Sequence, residues 1–290
     1  GLTAAVGQSA SYVFSRLFVV RRRQGVFRLL VLGHVLMGAM SVAALPLIWP
    51  GQWPPVGDFL GPLLAASFFY LVGQTGLFLA LQTSDASRIS PLLALKIAVL
   101  ALISVSLLGQ TLTALQWLAV GISVFGAWLL RDAGGRLPLR TFGAVGMACL
   151  GYSLSDLNIR ALVLSFPDLS LAQATLLSVA LSYGLLGMVG LGLLFRARPS
   201  RRALAYAAPW AVCWLGAMVA LFACFATAGV VLGNIVQSTR GVLSVLLGAL
   251  LARAGLFHIE RRRTAGTVLR QLAAAVLMAL AIALYVLGRR

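Results

Sequence analysis

Long apolar segments separated by short polar breaks recur along the whole chain. The 290 residues contain about ten such segments of roughly 20 residues, the length at which a helix crosses the hydrocarbon core of a bilayer. Their length and apolar content predict membrane spans. The predicted helices are Gly1–Val20, Phe27–Trp49, Phe59–Gln82, Ile89–Leu108, Leu115–Leu130, Thr141–Val163, Leu171–Phe195, Ala205–Ala228, Val230–Ala252 and Thr267–Leu287.

Composition supports an integral membrane protein. The chain is 61% hydrophobic with a mean hydropathy of +0.99, which a soluble domain does not reach. A net charge of +17 would suggest nucleic acid binding in a soluble protein, but here the arginines cluster in short loops between spans. We therefore expect no nucleic-acid partner. Cys149, Cys213 and Cys224 lie inside apolar segments without a CxxC or histidine partner, so we expect them to be small packing residues rather than a metal or disulfide site. We also expect no cofactor.

The two halves of the chain repeat each other at a constant offset of 144 residues. GQSASYVFSR (Gly7–Arg16) aligns with GYSLSDLNIR (Gly151–Arg160), and at the same offset Lys96 aligns with Arg240. The linker RDAGGRLPLR divides a first five-helix repeat, residues 1–132, from a second, residues 133–290. Five helices is an odd number, so the second repeat is predicted to be inverted in the membrane. The offset also leads us to expect about four residues of natural chain before Gly1.

The distribution of arginine predicts the orientation. Loops after the odd-numbered helices carry most of the arginines, whereas the loop WPGQWPPVGD after the second helix carries none. The positive-inside rule then places the odd loops in the cytoplasm and both termini outside. Arg160 and the terminal pair Arg289 and Arg290 count against this orientation.

Three charged residues lie well within predicted spans, where an isolated charge is costly and by default functional. Lys96, the chain's single lysine, lies in the fourth helix, and Arg240 occupies the equivalent position in the ninth. If both face one cavity they repel each other, and only Asp156 could compensate them from within the membrane. An anionic ligand is therefore expected, held by the fork of Arg240 and the point charge of Lys96. The alternative is that both side chains reach the membrane surface or bind broken-helix carbonyls.

Polar residues at helical spacing mark further candidates for substrate binding. Gln237 and Ser244 share one face of the ninth helix with Arg240, which favours a cavity lining over helix–helix hydrogen bonding. Tyr70 and Gln74 form a shorter stripe on the third helix, and Trp214 is the repeat mate of Tyr70. These aromatic residues either wall a binding site or pack in the core.

Asp156 is the candidate for coupling transport to protons, because no other carboxylate lies well inside a predicted span. Burial favours the protonated form of a carboxylate, as a proton carrier requires. Arg160 stands four residues later on the same helical face, so an intrahelical ion pair that keeps Asp156 ionised is the alternative.

These features together resemble the drug/metabolite transporter superfamily, EamA type, over the whole chain. The residues that carry the resemblance are the Gly- and Ser-rich first helix, Ile-Ser-Pro-Leu-Leu at Ile89–Leu93, and the glycine-bearing fifth helix from Gln116 to Gly126. The resemblance implies an all-α membrane fold of ten helices, as two inverted repeats around a central cavity, with the fifth and tenth helices at the edge in packing or dimerisation. Related sugar-phosphate and nucleotide-sugar carriers hold phosphate with basic residues on the fourth and ninth helices, where Lys96 and Arg240 lie. Gln110 stands where many relatives carry an acid, and many relatives are thought to keep their termini inside.

A secondary transporter is therefore the predicted function, as exporter or exchanger of a small metabolite that carries carboxylate or phosphate. The other classes are an intramembrane enzyme, which needs a cluster of acids or a nucleophile–base pair, and a membrane scaffold subunit, which has no evident use for buried cations. The predicted setting is a bacterial inner membrane, with lipid and the metabolite as partners and a monomer or homodimer as the assembly.

Overall fold

The computed structural model describes residues 1–18, 25–83, 92–93, 95–129, 139–240, 243 and 265–288. Within these ranges the chain is helical and no β-strand occurs, which confirms the all-α class. The helices are α1 (Leu2–Arg16), α2 (Val26–Ala44), α3 (Val56–Thr83), α4 (Leu95–Ser106), α5 (Ala114–Leu129), α6 (Leu139–Leu164), α7 (Leu171–Gly192), α8 (Arg201–Ala228), α9 (Val230–Ser238) and α10 (Ala265–Leu287).

Two predicted helices end earlier than the apolar pattern indicates. The second was expected to reach Trp49, but α2 ends at Ala44 and continues as a 3-10 turn over Leu45–Leu47. Pro46 lies in that turn and has no backbone N–H to extend the α-helical hydrogen bonds. The seventh was expected to reach Phe195, but α7 ends at Gly192 and a separate single turn follows at Leu194–Ala197.

Four described segments are long and apolar enough to cross a membrane, and they confirm a multi-pass membrane protein. They are Val26–Leu47, Val56–Ala80, Leu171–Gly192 and Arg201–Ala228. Shorter apolar helices occur at Leu95–Ser106, Ala114–Gly126 and Ala273–Leu287.

The chain divides into two compact units, each assembled from both halves of the sequence. One contains the described residues of Gly1–Leu63, Ile159–Thr227 and Leu243–Arg262. The other contains those of Leu64–Asn158, Ala228–Val242 and Arg263–Arg290. This division reflects contacts, whereas the repeat boundary at residues 132 and 133 reflects sequence similarity and stays a prediction.

The first unit is built around the antiparallel pair α2 and α7. A Cβ atom added to Gly38 would lie 2.7 Å from Gly187 Cα, and one on Gly190 would lie 3.1 Å from Val35 Cγ2. Position numbers thus rise along α2 as they fall along α7. The two backbones approach closely because these glycines have no side chain, the usual means of helix packing in membranes.

The second unit contains α4, α5, α9, α10 and the neighbouring parts of α3 and α6. Helices α5 and α10 pack on each other, with Gly126 against Leu277 and Thr113 Oγ1 donating to Gly288 O at 3.2 Å. Helix α9 contacts α4, α5 and α10. A small hydrophobic core lies between α3 and α6 and consists of Ala80, Val145 and Cys149. Apolar residues of α3, α4, α6 and the segment before α4 pack around it: Leu77, Leu92, Leu93, Leu95, Val99 and Ala144.

Candidate functional site

A buried ion pair joins two helices of the second unit. Lys96 is the second residue of α4, and its Nζ lies 2.7 Å from Oδ2 of Asp156 on α6. The side chains are only 13% and 8% exposed. An isolated charge is strongly disfavoured in such a setting, and the ion pair leaves neither residue isolated. Asp156 therefore has a cationic partner from another helix.

Asn234 brings a third helix, α9, to the same carboxylate. Its Nδ2 donates to Asp156 Oδ2 at 2.8 Å and to the Val230 carbonyl, one turn earlier in α9, at 2.9 Å. Asn234 is buried at 3% exposure. Because the bond to Val230 fixes the amide, Asn234 holds the carboxylate in a defined position. We refer to Lys96, Asp156 and Asn234 as the carboxylate cluster.

Two phenols and an amide extend the carboxylate cluster toward α3. Tyr152 precedes Asp156 by four residues and so shares its face of α6, with its ring centroid 5.7 Å from Lys96 Nζ. Tyr152 Oη donates to Gln74 Oε1 at 3.1 Å, and Gln74 Nε2 donates to Tyr70 Oη at 2.7 Å. Two predicted binding residues, Tyr70 and Gln74, are thereby connected to Lys96 through Tyr152.

Close packing of α3 on α6 sets the position of Tyr152. A Cβ atom on Gly151 would lie 2.5 Å from Gly73 N and 2.9 Å from Phe69 O, which leaves no room for a side chain. A Cβ atom on Gly73 would in turn lie 2.7 Å from the Tyr152 ring. Both glycines are needed for the ring to stand beside Gln74.

Two serines on α6 bind the neighbouring helices through backbone carbonyls. Ser153 Oγ donates to Cys149 O at 2.7 Å and lies 3.4 Å from Lys96 O, next to the start of α4. Ser155 Oγ donates to Ala66 O of α3 at 2.8 Å. These hydrogen bonds fix the backbone that carries Lys96 and Asp156.

The polar stripe predicted on the ninth helix is described in part. Gln237 is buried in α9, one turn after Asn234, and Arg240 lies half-buried two residues beyond the end of α9. The ion pair and the hydrogen bond described above for Lys96 and Asp156 do not involve Arg240. Ser244 lies outside the described residues. A shared binding site for Lys96 and Arg240 therefore stays a prediction.

Trp214 lies in the first unit, within an aromatic group. Its Nε1 donates to Tyr183 Oη at 2.9 Å, and its ring stacks on Trp210 with centroids 5.6 Å apart. His34 of α2 contacts the rings of Tyr183 and Trp210 at centroid distances of 6.4 and 6.3 Å. Tyr183 and Trp210 are almost fully buried, so this group packs the interior of the first unit.

The side chains of the carboxylate cluster suit charged or hydrogen-bonding organic groups rather than a metal ion. It offers one carboxylate beside an ammonium and an amide, and the adjoining groups are phenols. Across the described ranges, no three His, Cys, Asp or Glu side chains lie close enough together to hold a metal ion.

Sequence reasoning missed two members of this arrangement. Asn234 stands three residues before Gln237 in an apolar helix, so its amide could have been added to the predicted polar face. Tyr152 stands four residues before Asp156 and was visible by the same spacing rule. The ion pair itself has no local signal, because Lys96 and Asp156 are far apart in sequence.

Comparisons with known proteins agree with the fold. No curated protein matches the chain in sequence. A solved crystal structure of another protein superposes on it with a TM-score of 0.65 at 19% identity, covering 99% of this chain and 98% of that chain. At this identity the likeness shows the fold alone.

Residues 1–131 match the EamA-like transporter family. This match confirms the resemblance found in the sequence: residues 1–131 are similar to the EamA-like transporters, a part of the drug/metabolite transporter superfamily.

Proposed function

We propose that the protein is a secondary transporter that carries a small anionic metabolite, bearing carboxylate or phosphate, by alternating access. The membrane helices and the family match support transport of small molecules. The constant 144-residue offset supports ten spans arranged as two inverted five-helix repeats, residues 1–132 and 133–290, around a central cavity. In such transporters the substrate site lies near the midplane, between the repeats.

The Lys96–Asp156 ion pair is the observation that carries this proposal. A buried ion pair stabilises a fold poorly compared with well-packed apolar residues, because both charges lose their hydration. Its presence inside apolar helices therefore indicates a use other than stability. The pair lies where α4, α6 and α9 meet, so breaking it changes the contacts of all three helices.

The substrate's negative charge is proposed to compete with Asp156 for Lys96. The Asp156 carboxylate occupies the place beside Lys96 that a substrate carboxylate or phosphate would take. An arriving anion offers Lys96 an equivalent charge-assisted hydrogen bond. Arg240 supplies a second, bidentate contact from the segment after α9, Gln237 adds a polar contact from α9, and Ser244 adds another. Tyr70 and Gln74, joined to Lys96 through Tyr152, fix the substrate's orientation.

The same competition gives Asp156 a role in coupling. When the substrate takes Lys96, Asp156 loses its cationic partner in a setting that disfavours a lone carboxylate. Uptake of a proton neutralises it, and release of that proton on re-pairing with Lys96 returns the cycle to its start. Lys96 of α4 and Asn234 of α9 contact Asp156 from the packed helices, while Tyr152, Ser153 and Arg160 lie on its own helix.

The proposed location is a bacterial inner membrane, with periplasmic termini and a monomer or homodimer as the assembly. Gly51 and Pro199 lie near opposite ends of the α2–α7 pair, and both are exposed. In a cysteine-free background, Gly51→Cys should react with an impermeant thiol reagent from outside and Pro199→Cys should not. The reverse labelling would invert the orientation without affecting the transport proposal.

A flux assay in proteoliposomes tests the function. The purified protein would be offered a panel of carboxylates, phosphate esters, amino acids and organic cations, with protein-free liposomes as the blank. We expect saturable flux of a carboxylate or phosphate compound and no flux of the cations. A cation as the best substrate, or the absence of flux for every anion, would rule the proposal out.

A further inference from the structure

Four exposed arginines gather in the short connection between α7 and α8 of the first unit. They are Arg196, Arg198, Arg201 and Arg202, and we refer to them as the arginine cluster. All four fall within seven residues, at the end of one apolar span and the start of the next. Such a position corresponds to the headgroup level of a bilayer.

Arg28 fixes this connection in place from a neighbouring helix. It lies in the first turn of α2, and its Nη2 donates to Arg198 O at 2.6 Å and to Ser200 Oγ at 3.2 Å. Ser200 Oγ also accepts from the backbone N–H of Ala203, which caps the start of α8. The arginine cluster is therefore held on a defined backbone rather than on a free loop.

The backbone at Arg198 is strained. Its φ of 47° lies in the left-handed region, which glycine or asparagine adopts more easily than arginine. The strained conformation presents the Arg198 carbonyl to Arg28. An arginine at a position better suited to glycine indicates that its side chain is useful there.

The charges of the arginine cluster have no described counter-charge at their end of the unit. The described acids of the first unit are Asp58, in the first turn of α3, and Asp168, just before α7. Ser165 Oγ, between α6 and α7, donates to the backbone carbonyl of Asp58 at 3.0 Å, so the two acids lie at the same end of the unit. In the antiparallel pair, the start of α7 lies opposite the end that holds the arginine cluster. Like charges that lie together repel, and Arg201 and Arg202 also face the positive end of the α8 dipole. An external anion would relieve both effects.

The residues beside the arginine cluster are apolar and exposed, as expected for a surface that faces acyl chains. Leu191 and Phe195 are 56% and 71% exposed, and Phe27 of α2 and Tyr206 of α8 are also exposed. Phosphate with attached acyl chains matches this combination of arginines and apolar surface, whereas a soluble anion would use only the arginines. We propose that the arginine cluster, positioned by Arg28, is a binding site for the headgroup of an anionic phospholipid.

Lipid binding to the detergent-purified protein, measured by native mass spectrometry, tests the site. The probes are phosphatidylglycerol, phosphatidylcholine and inorganic phosphate. We expect phosphatidylglycerol to bind in preference to phosphatidylcholine. The variant Arg201→Gln with Arg202→Gln should weaken that binding about 30-fold, because each basic residue near an anionic surface contributes about 1 kcal/mol, roughly fivefold. This variant keeps the contact between Arg28 and the Arg198 carbonyl.

A matched control removes the same charge elsewhere. Arg140→Gln with Arg270→Gln also replaces two exposed arginines near helix starts, and it should leave phosphatidylglycerol binding unchanged. Arg201→Lys with Arg202→Lys should retain most of the binding. If the glutamine pair at 201 and 202 does not fold, Arg198→Asn, which suits the left-handed backbone, should weaken binding about fivefold.

Three results would overturn the inference. The first is wild-type phosphatidylglycerol binding in the variants at Arg201 and Arg202, or at Arg198. The second is an equal loss of phosphatidylglycerol binding in the control variant, which would show that binding depends only on the overall charge of the protein. The third is displacement of the lipid by inorganic phosphate at equal concentration, which would make this a soluble-anion site.

Discussion

Lys96 Nζ and Asp156 Oδ2 lie 2.7 Å apart, each on its own apolar helix and each largely buried. Removal of one partner leaves the other as an uncompensated buried charge, whereas removal of both does not. We therefore expect Lys96→Gln and Asp156→Asn each to destabilise the protein by about 3–5 kcal/mol, with partial recovery in the double variant. Thermal unfolding in detergent measures this coupling. Additive losses in the double variant would show that the two side chains do not depend on each other.

We expect Asn234 to stabilise the protein through its hydrogen bond to Asp156, beyond the bond that any helical asparagine makes to its own helix. Asn158 provides the control, since its Nδ2 also donates to the carbonyl four residues earlier but contacts no charge in the described residues. Asn234→Ala should cost about 1.5–3 kcal/mol, the range for a hydrogen bond to a charged group. Asn158→Ala should cost less. Equal losses in unfolding measurements would remove Asn234 from the carboxylate cluster.

The contact between α3 and α6 tolerates no side chain at Gly151. A methyl group there would lie 2.5 Å from Gly73 N, so Gly151→Ala must separate the two helices or lose expression. Separation would also pull Tyr152 away from Gln74. Gly146 on the same helix is the control, because a methyl group added there would have no described atom within 4 Å. Gly146→Ala should keep wild-type thermal stability and flux, and a normal Gly151→Ala protein would refute the close packing.

Sequence alone predicted the helices and their membrane class well, because apolar length and polar breaks are local properties. It also identified Lys96, Asp156, Tyr70 and Gln74 as candidates, since a charge or polar stripe in an apolar span is conspicuous. It named Asp156 as the one acid within a span that could compensate Lys96 and Arg240. It could not choose the partner of Asp156, because helical spacing offered Arg160 as well. Which helices approach each other depends on contacts such as those of Gly73 and Gly151, whose effect appears only once α3 and α6 are packed.

Asp156→Asn should separate coupling from substrate binding. Without the carboxylate, no group of the carboxylate cluster takes up a proton on substrate binding, so accumulation driven by a pH gradient should be lost. Counterflow exchange should remain, because Lys96 is still present to hold the anion. The apparent KM should fall about tenfold or more, since the loss of a competing charged contact of about 1.5–3 kcal/mol favours the substrate. Full gradient-driven accumulation in this variant would exclude Asp156 from the mechanism.

Counterflow exchange of the best anionic substrate, compared among four proteins, tests most directly whether Lys96 binds the substrate's negative charge. The proteins are the wild type, Asp156→Asn, Lys96→Arg, and Lys96→Gln combined with Asp156→Asn, the last of which avoids an unpaired buried charge. We predict exchange in the first two, reduced exchange in Lys96→Arg, and none in the folded double variant. Exchange at the wild-type rate in the double variant would contradict the account.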